Sequence, residues 1–271
     1  MTESAKKAAQ IIAQKAPRLT PKLAITLGSG LGDIAELLEN PIKIAYSELP
    51  DFPPCTVAGH AGNLYLGKLN GLPVACLQGR AHFYEGISPV VAKTYIRTMK
   101  LIGCESVLLT NACGSMREHM IPGDLMLIRD HINFQFTNVM VRHNDSEFGE
   151  RFFSMDDAYD ATLREKIKLI AKENEVPLHE GVYFAVLGPN FETPAEIQCF
   201  KKMGGDVVAM SLINEVATAR HCGLRVIAIS AISNMAAGLS AEKISHDLTL
   251  SGVKLATDKL KKLVLAFVAR Y

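Results

Sequence analysis

Short apolar runs rich in β-branched residues alternate with stretches of helical periodicity almost from end to end of the chain. The runs Lys22–Leu27, Asn63–Leu69, Val74–Gln78, Ser106–Thr110, Asp124–Ile128, Val182–Leu187, Asp206–Met210 and Arg225–Ala231 predict strands. Asn70-Gly71 between two of them predicts a hairpin, since both residues tolerate the positive φ of a type I′ turn. Helices are expected over Asp33–Glu39, Pro89–Leu101, Ala161–Asn174, Pro194–Met203, Glu215–Cys222 and Leu248–Ala269, and an amphipathic one opens the chain. Gly103, Gly204 and Gly223 punctuate helix ends, where a left-handed residue stops the helix. The alternation implies an α/β protein, a mixed-to-parallel sheet covered by helices. No linker, low-complexity tract or internal repeat divides residues 1–271, so one domain is expected. The polar stretch Asn133–Asp157 is long for a structureless connection, a trait of functional loops.

Composition narrows the classes. Hydrophobic residues at 48% allow a sizeable core, and a formal charge of +1 gives no basic footprint for nucleic-acid binding. The N-terminus is charged and lacks the apolar core of a signal peptide, and no apolar run reaches the roughly 18 residues of a membrane span. Six cysteines stand singly, as buried thiols of a reducing compartment do, so a soluble cytoplasmic protein is expected.

Ligands of α/β proteins gather at the carboxyl ends of strands, which directs attention to five polar stretches. Gly28-Ser29-Gly30-Leu31-Gly32 follows a strand and could bring backbone N–H groups to an anion, but it fits neither a P-loop nor a dinucleotide fingerprint. A plain strand–helix turn reads equally well. In Gly79-Arg80-Ala81-His82-Phe83-Tyr84-Glu85-Gly86, Arg80, His82 and Tyr84 alternate and would share one face of an extended segment. An Arg fork with such donors suits an oxyanion. Thr110–Ser115 is built of small residues ending a buried strand, which permits either a close ligand or a tight turn; nothing nearby in sequence would activate Cys113 as a nucleophile. Gly188–Pro194 offers Phe191 to stack on a planar heterocycle and Glu192 to accept from it, while Thr193 and Pro194 also read as the cap and first residue of a helix. Ser230–Gly238 ends on Asn234, a donor and acceptor able to read a purine edge, or else an Asx-turn. His246 alone reads as a helix-start polar residue. The eight histidines are scattered without a metal-ligand pattern, and no G-x-S-x-G elbow marks a hydrolase.

Taken in order, these stretches resemble the trimeric class of purine nucleoside phosphorylases, close to its bacterial xanthosine-accepting subgroup. The resemblance is carried by GSGLG at Gly28–Gly32, GHAG at Gly59–Gly62, QGRAHFYEG at Gln78–Gly86 and TNACGS at Thr110–Ser115. It continues through GDLMLIRDHIN at Gly123–Asn133, GPNFETPAEI at Gly188–Ile197, ARHCGLRV at Ala219–Val226 and SNMAAG at Ser233–Gly238. It implies a single α/β domain around a mixed, partly barrel-like sheet, and phosphorolysis of 6-oxopurine ribo- and deoxyribonucleosides, inosine and guanosine with xanthosine as a further candidate, in purine salvage. It also implies no cofactor, inorganic phosphate being a co-substrate. Ser29, Arg80, His82, Ala112 (through its backbone) and Ser211 match phosphate-binding positions, and His60 matches a loop residue near phosphate and ribose. Tyr84 and Met210 match ribose-lining residues, and His246 the one that meets the 5′-hydroxyl. Phe191, Glu192 and Asn234 match the purine site, with Asn234, Glu192 and His82 the expected catalytic groups. Phe148 matches an aromatic lent by a neighbouring subunit, which implies a homotrimer or a dimer of trimers.

Two positions depart from the family pattern. Cys113 stands where Ala or Gly is usual, and Asn214 replaces a proline, which should loosen a turn near Ser211. A methylthioadenosine phosphorylase-like enzyme shares the scaffold but typically has Asp where Asn234 stands. A non-catalytic nucleoside-binding protein would need no phosphate set beside its base set.

Overall fold

Strand positions that are apolar on both alternating faces must be covered on both sides, and this chain covers them with helices. The computed structural model describes residues 2–28, 30–141 and 144–271. Its elements run α1 (Thr2–Lys15), β1 (Leu23–Leu27), β2 (Glu39–Ala45), β3 (Asn63–Leu69), β4 (Leu72–Gln78), α2 (Pro89–Leu101), β5 (Ser106–Ser115) and β6 (Leu125–Asn133). There follow α3 (Ala161–Glu173), β7 (Leu178–Ala185), α4 (Pro194–Lys202), β8 (Val207–Ala209), α5 (Ile213–His221), β9 (Arg225–Met235) and α6 (His246–Ala269). The strands form one mixed sheet in the order β2-β3-β4-β1-β5-β8-β7-β6-β9. A further pairing of β5 with β9 closes its last five strands into a ring, the barrel-like sheet that the resemblance implied.

Side-chain alternation divides the core. Ala24, Val107, Leu109, Val226 and Ala228 face a cluster shared with Ile12 of α1, Tyr95 and Met99 of α2 and Val216 of α5. Their neighbours Leu23, Ile25, Leu108, Ile227 and Ile229 face the opposite cluster, with Ile167 of α3 and Leu260, Leu263 and Phe267 of α6. At Gly252 the backbone of α6 lies directly on β9: a Cβ there would fall 1.8 Å from the Ser233 carbonyl oxygen.

The expected hairpin is present, with φ of 48° at Asn70 and 79° at Gly71. Gly103, Gly204 and Gly223 take positive φ directly after helices, as expected. Three expectations need correction. The helix expected over Asp33–Glu39 is a 3₁₀ segment, Gly32–Leu37, followed by the unanticipated strand β2. This strand is mostly exposed, contains Pro41 and has a register shift between Glu39 and Ile42, so it lacks clean alternation and can exist only at an edge. The strands expected over Ser106–Thr110 and Arg225–Ala231 run on to Ser115 and Met235, pairing in parallel through both stretches with an irregularity at Cys113/Gly114, which removes the turn alternatives there. Asn214 lies inside the first turn of α5 instead of in the turn beside Ser211. That turn is set by Leu212, at φ 70° and ψ −46°, and by the Tyr183 hydroxyl, 3.0 Å from both the nitrogen and the oxygen of Ser211. Among the described residues, no helix is long and apolar enough to cross a membrane.

Candidate active site

The carboxyl ends of β4, β5, β8 and β9 converge with the N-terminus of α6 around a cavity of about 370 Å³. Arg80, His82 and Tyr84, beyond β4, lie at one part of its wall, with His60 from the loop that leads into β3. Ala112 comes from β5, Met210 and Ser211 follow β8, and Phe191 and Glu192 precede α4. Asn234 closes the wall from β9 and His246 from α6. Thus eleven of the thirteen expected site residues share one cavity. Ser29 lies outside the described residues. Phe148 does not line the cavity of its own chain; its ring lies over the Arg97 guanidinium, 4.5 Å from centroid to Cζ.

Arg80 is 2% exposed, so every N–H on its guanidinium requires a partner. Nη1 donates to the Thr110 carbonyl at 2.8 Å, and Nε lies 2.8 Å from Glu215 Oε2 in an ion pair. Among the described residues, Nη2 is buried without a hydrogen-bond partner, and the contact of Nε with Glu215 is a charge contact that lacks hydrogen-bond geometry. Glu215 thus neutralises the Nε side of the fork, which leaves the end-on edge, Nη1 with Nη2, as the one that could meet an anion. A Cβ on Gly28 would fall 2.8 Å from the Thr110 oxygen and 3.3 Å from Arg80 Nη1, so this position permits no side chain without displacement.

Each adjoining histidine has a defined partner on Nδ1. The backbone N–H of Arg80 donates to His60 Nδ1 at 2.8 Å, which places the His60 ring proton on Nε2. Burial, and then the nearby charge of Arg80, hold the His60 pKa down at about 3, so the ring is neutral. His82 Nδ1 is 2.9 Å from Glu85 Oε1. Burial works against the Glu85 carboxylate, but hydrogen bonds from His82 and Thr56 outweigh it and bring its pKa to about 2. An ionised Glu85 accepts from Nδ1 and leaves His82 Nε2 available for substrate. The Tyr84 ring stacks on His82 at 4.7 Å and 7°. Burial, followed by the Glu85 charge, pushes its hydroxyl up to about 12, so it remains a neutral donor.

The opposite wall carries the groups suited to a heterocycle. Asn234 Nδ2 donates to the Met235 carbonyl at 2.9 Å, while Oδ1 accepts from Ser233 Oγ at 2.7 Å. The carbonyl fixes which amide atom is nitrogen and leaves one N–H of Asn234 for a ligand. Burial raises the pKa of Glu192, with a smaller contribution from Glu196. Glu196 itself completes a capping box with Thr193 at the start of α4, and Pro194 opens the helix as anticipated. Phe191 is 40% exposed at the mouth. Cys113 lines the cavity, but burial pushes its thiol to about 12, so it presents no thiolate.

Several contributors were missed. Glu215 and Tyr183 lie behind Arg80 and Ser211, and neither has a local sequence signal beyond being polar within apolar surroundings. Glu85 stood inside the quoted QGRAHFYEG motif and could have been found as the carboxylate three residues after His82. Val57, Ala58 and Thr249 also line the cavity. Among the described residues, no group of His, Cys, Asp and Glu could hold a metal ion.

Residues 22–269 match the model of the phosphorylase superfamily. Purine nucleoside phosphorylase 1 of Bacillus subtilis (strain 168) is 45% identical over 271 residues, covering all of both chains. Purine nucleoside phosphorylase 1 of Geobacillus stearothermophilus is 46% identical over 96% of this chain and 93% of its own. The structure of isoform 2 of purine nucleoside phosphorylase from Schistosoma mansoni, in complex with cytosine and ribose-1-phosphate, superposes with a TM-score of 0.93. It is 40% identical and covers 99% of this chain and 96% of its own. A family match over nearly the whole length, joined to a cavity lined by the residues the family pattern singles out, places this chain in the phosphorylase superfamily, among the purine nucleoside phosphorylases.

Proposed function

We propose that this protein cleaves 6-oxopurine nucleosides, inosine and guanosine and their deoxyribose counterparts, to the free base and (deoxy)ribose 1-phosphate. The observation that carries this reading is the buried, unpaired Nη2 of Arg80 in the same cavity as Glu192 and Asn234. An anion and a purine would thus be held on one sugar between them. Phosphate, bound by the end-on edge of Arg80, by His82, by the Ala112 backbone and by Ser211, attacks the anomeric carbon as the glycosidic bond loosens. His60 supplies a neutral ring beside it. Tyr84, Met210 and His246 surround the sugar. Asn234 donates to the purine as negative charge accumulates on it, Glu192 accepts from N1–H, and Phe191 covers the base. Phosphate is a co-substrate, and no cofactor takes part.

In this reading the working unit is a homotrimer or a pair of trimers, with Phe148 completing a neighbour's ribose pocket. The six free thiols suit the cytoplasm, where the reaction serves purine salvage. Xanthosine is a further substrate candidate; its 2-oxo group would face Glu192, so a rotated carboxylate, a bridging water or a protonated carboxyl would be needed there, and burial shifts the Glu192 pKa upward, in the direction that makes the last less costly. Incubation with inosine, with and without phosphate, tests the reaction. Hypoxanthine release only with phosphate is expected; equal release without it indicates a hydrolase, and none in either case indicates a binding protein. Undetectable xanthosine cleavage at high enzyme concentration removes xanthosine from the range.

A further inference from the structure

The phosphate ligands Arg80 and Ser211 follow different strands, β4 and β8, yet one residue behind the cavity wall is tied to both. Glu215 is 2% exposed, lies in the first turn of α5 and does not line the cavity. Its Oε2 is 2.8 Å from Arg80 Nε, and Arg80 is its ion-pair partner among the described residues. Four residues before it, Ser211 leads into α5 through Leu212, whose φ of 70° and ψ of −46° are sparsely populated for a branched side chain. Tyr183 holds that turn by bonding both backbone atoms of Ser211. One short helix therefore ends in a fixed turn presenting Ser211 and carries the carboxylate that engages Arg80.

We propose that Glu215 is a positioning residue for phosphate: it holds the Arg80 guanidinium with its end-on edge toward the anion and ties it to the helix that presents Ser211. This inference rests on the phosphorolysis reading. A guanidinium is planar, so fixing Nε against Glu215 and Nη1 against Thr110 leaves it no rotation about Cδ–Nε. The unpaired Nη2 is then the donor that remains. A carboxylate in the cavity would compete with phosphate for space; placed behind the wall, it fixes the cation and leaves the anion site open. A pair that only filled the core would contribute to stability without governing phosphate.

Two variants separate these roles. Glu215→Asp keeps the charge and withdraws it by one methylene, and Glu215→Gln keeps the shape without the charge. Calorimetric titration with inorganic phosphate and with inosine, on whichever variant folds, should show phosphate affinity weakened about 10- to 100-fold, as expected for disturbing the buried charge pair that orients the Arg80 guanidinium. Inosine affinity should stay within about twofold, a split that a general loss of structure would not give. Phosphate affinity equal to or tighter than wild type in a folded variant overturns the inference. In wild-type protein the Arg80 Nε–H resonance should persist when phosphate is added. Its disappearance shows that the anion displaces Glu215, and also overturns the inference. Wild-type protein that binds no phosphate at all defeats the phosphorolysis reading itself.

Discussion

Asn234→Asp tests whether the side chain at the end of β9 reads the 6-position of the base. In the native site one N–H of Asn234 is committed to Met235 and the other is free, while Oδ1 is taken by Ser233. An aspartate places an acceptor against the Met235 carbonyl and another toward the ligand. For inosine, whose O6 and N7 are acceptors, the lost donor leaves a buried mismatch of about 1–3 kcal/mol, or about 5- to 150-fold in kcat/KM. For adenosine the same oxygen meets a 6-amino donor, so one contact improves while Glu192 still faces the bare N1. The expected result is a rise in the adenosine-to-inosine ratio of kcat/KM, without adenosine necessarily becoming a good substrate. The internal mismatch with Met235 should also lower stability by about 1–3 kcal/mol, so thermal melts must accompany the kinetics. At 7% exposure the new carboxyl favours protonation, so inosine cleavage should partly recover at lower pH as one donor returns. Asn234→Ala supplies the control, losing inosine activity without favouring adenosine. An unchanged ratio in Asn234→Asp would refute the argument that Asn234 reads the base.

Other perturbations have definite signs. Arg80→Ala should raise the phosphate KM at least about tenfold and, by stranding buried Glu215, lower stability by about 3–5 kcal/mol; phosphate-dependent kinetics and urea melts check both. The folded-state pKa of Glu85 is about 2 against an ordinary 4.5, so its stabilising contribution is complete above 4.5 and lost as pH falls through 2. Glu85→Gln should therefore flatten that portion of the acid stability profile, and identical wild-type and variant slopes would exclude the His82–Glu85 link. Phe148→Ala should raise the nucleoside KM about tenfold with the phosphate KM unmoved, while light scattering still reports an oligomer. A fully active wild-type monomer would contradict the lent aromatic.

The sequence carried the site further than it carried the chain path. Arg80, His82 and Tyr84 were legible because a strand end followed by alternating polar groups leaves few other uses for them. Asn234 and Glu192 were legible as candidates, although the residues alone left an Asx-turn and a helix start open. Their convergence depends on β5 and β9 running several residues past their most apolar segments, and small residues such as Gly114 and Ser115 hide that extension. Strand β2 was invisible because its exposed face and Pro41 erase the alternation that identifies a strand. Glu215 was invisible for another reason: its role exists only through Arg80, far away in sequence, and no local pattern records such a pairing.

The contact of Gly252 with Ser233 bears, in the phosphorolysis reading, on how the two ends of a nucleoside could be adjusted separately. It locks α6 to β9 beside Asn234, whereas residues 236–245 connect these elements without helix or strand. That connection is a loop with both ends anchored, one at the purine wall and one near His246. Its first residues pack with α4, Ala236, Ala237 and Leu239 beside Ile197 and Phe200 and Gly238 against Pro194, so only residues 240–245 should be exchangeable to reshape the space near His246 without disturbing the wall that carries Glu192 and Asn234. Substitution at Gly252 has the opposite character, since even a methyl group must separate the helix from the strand and so disturb both ends together.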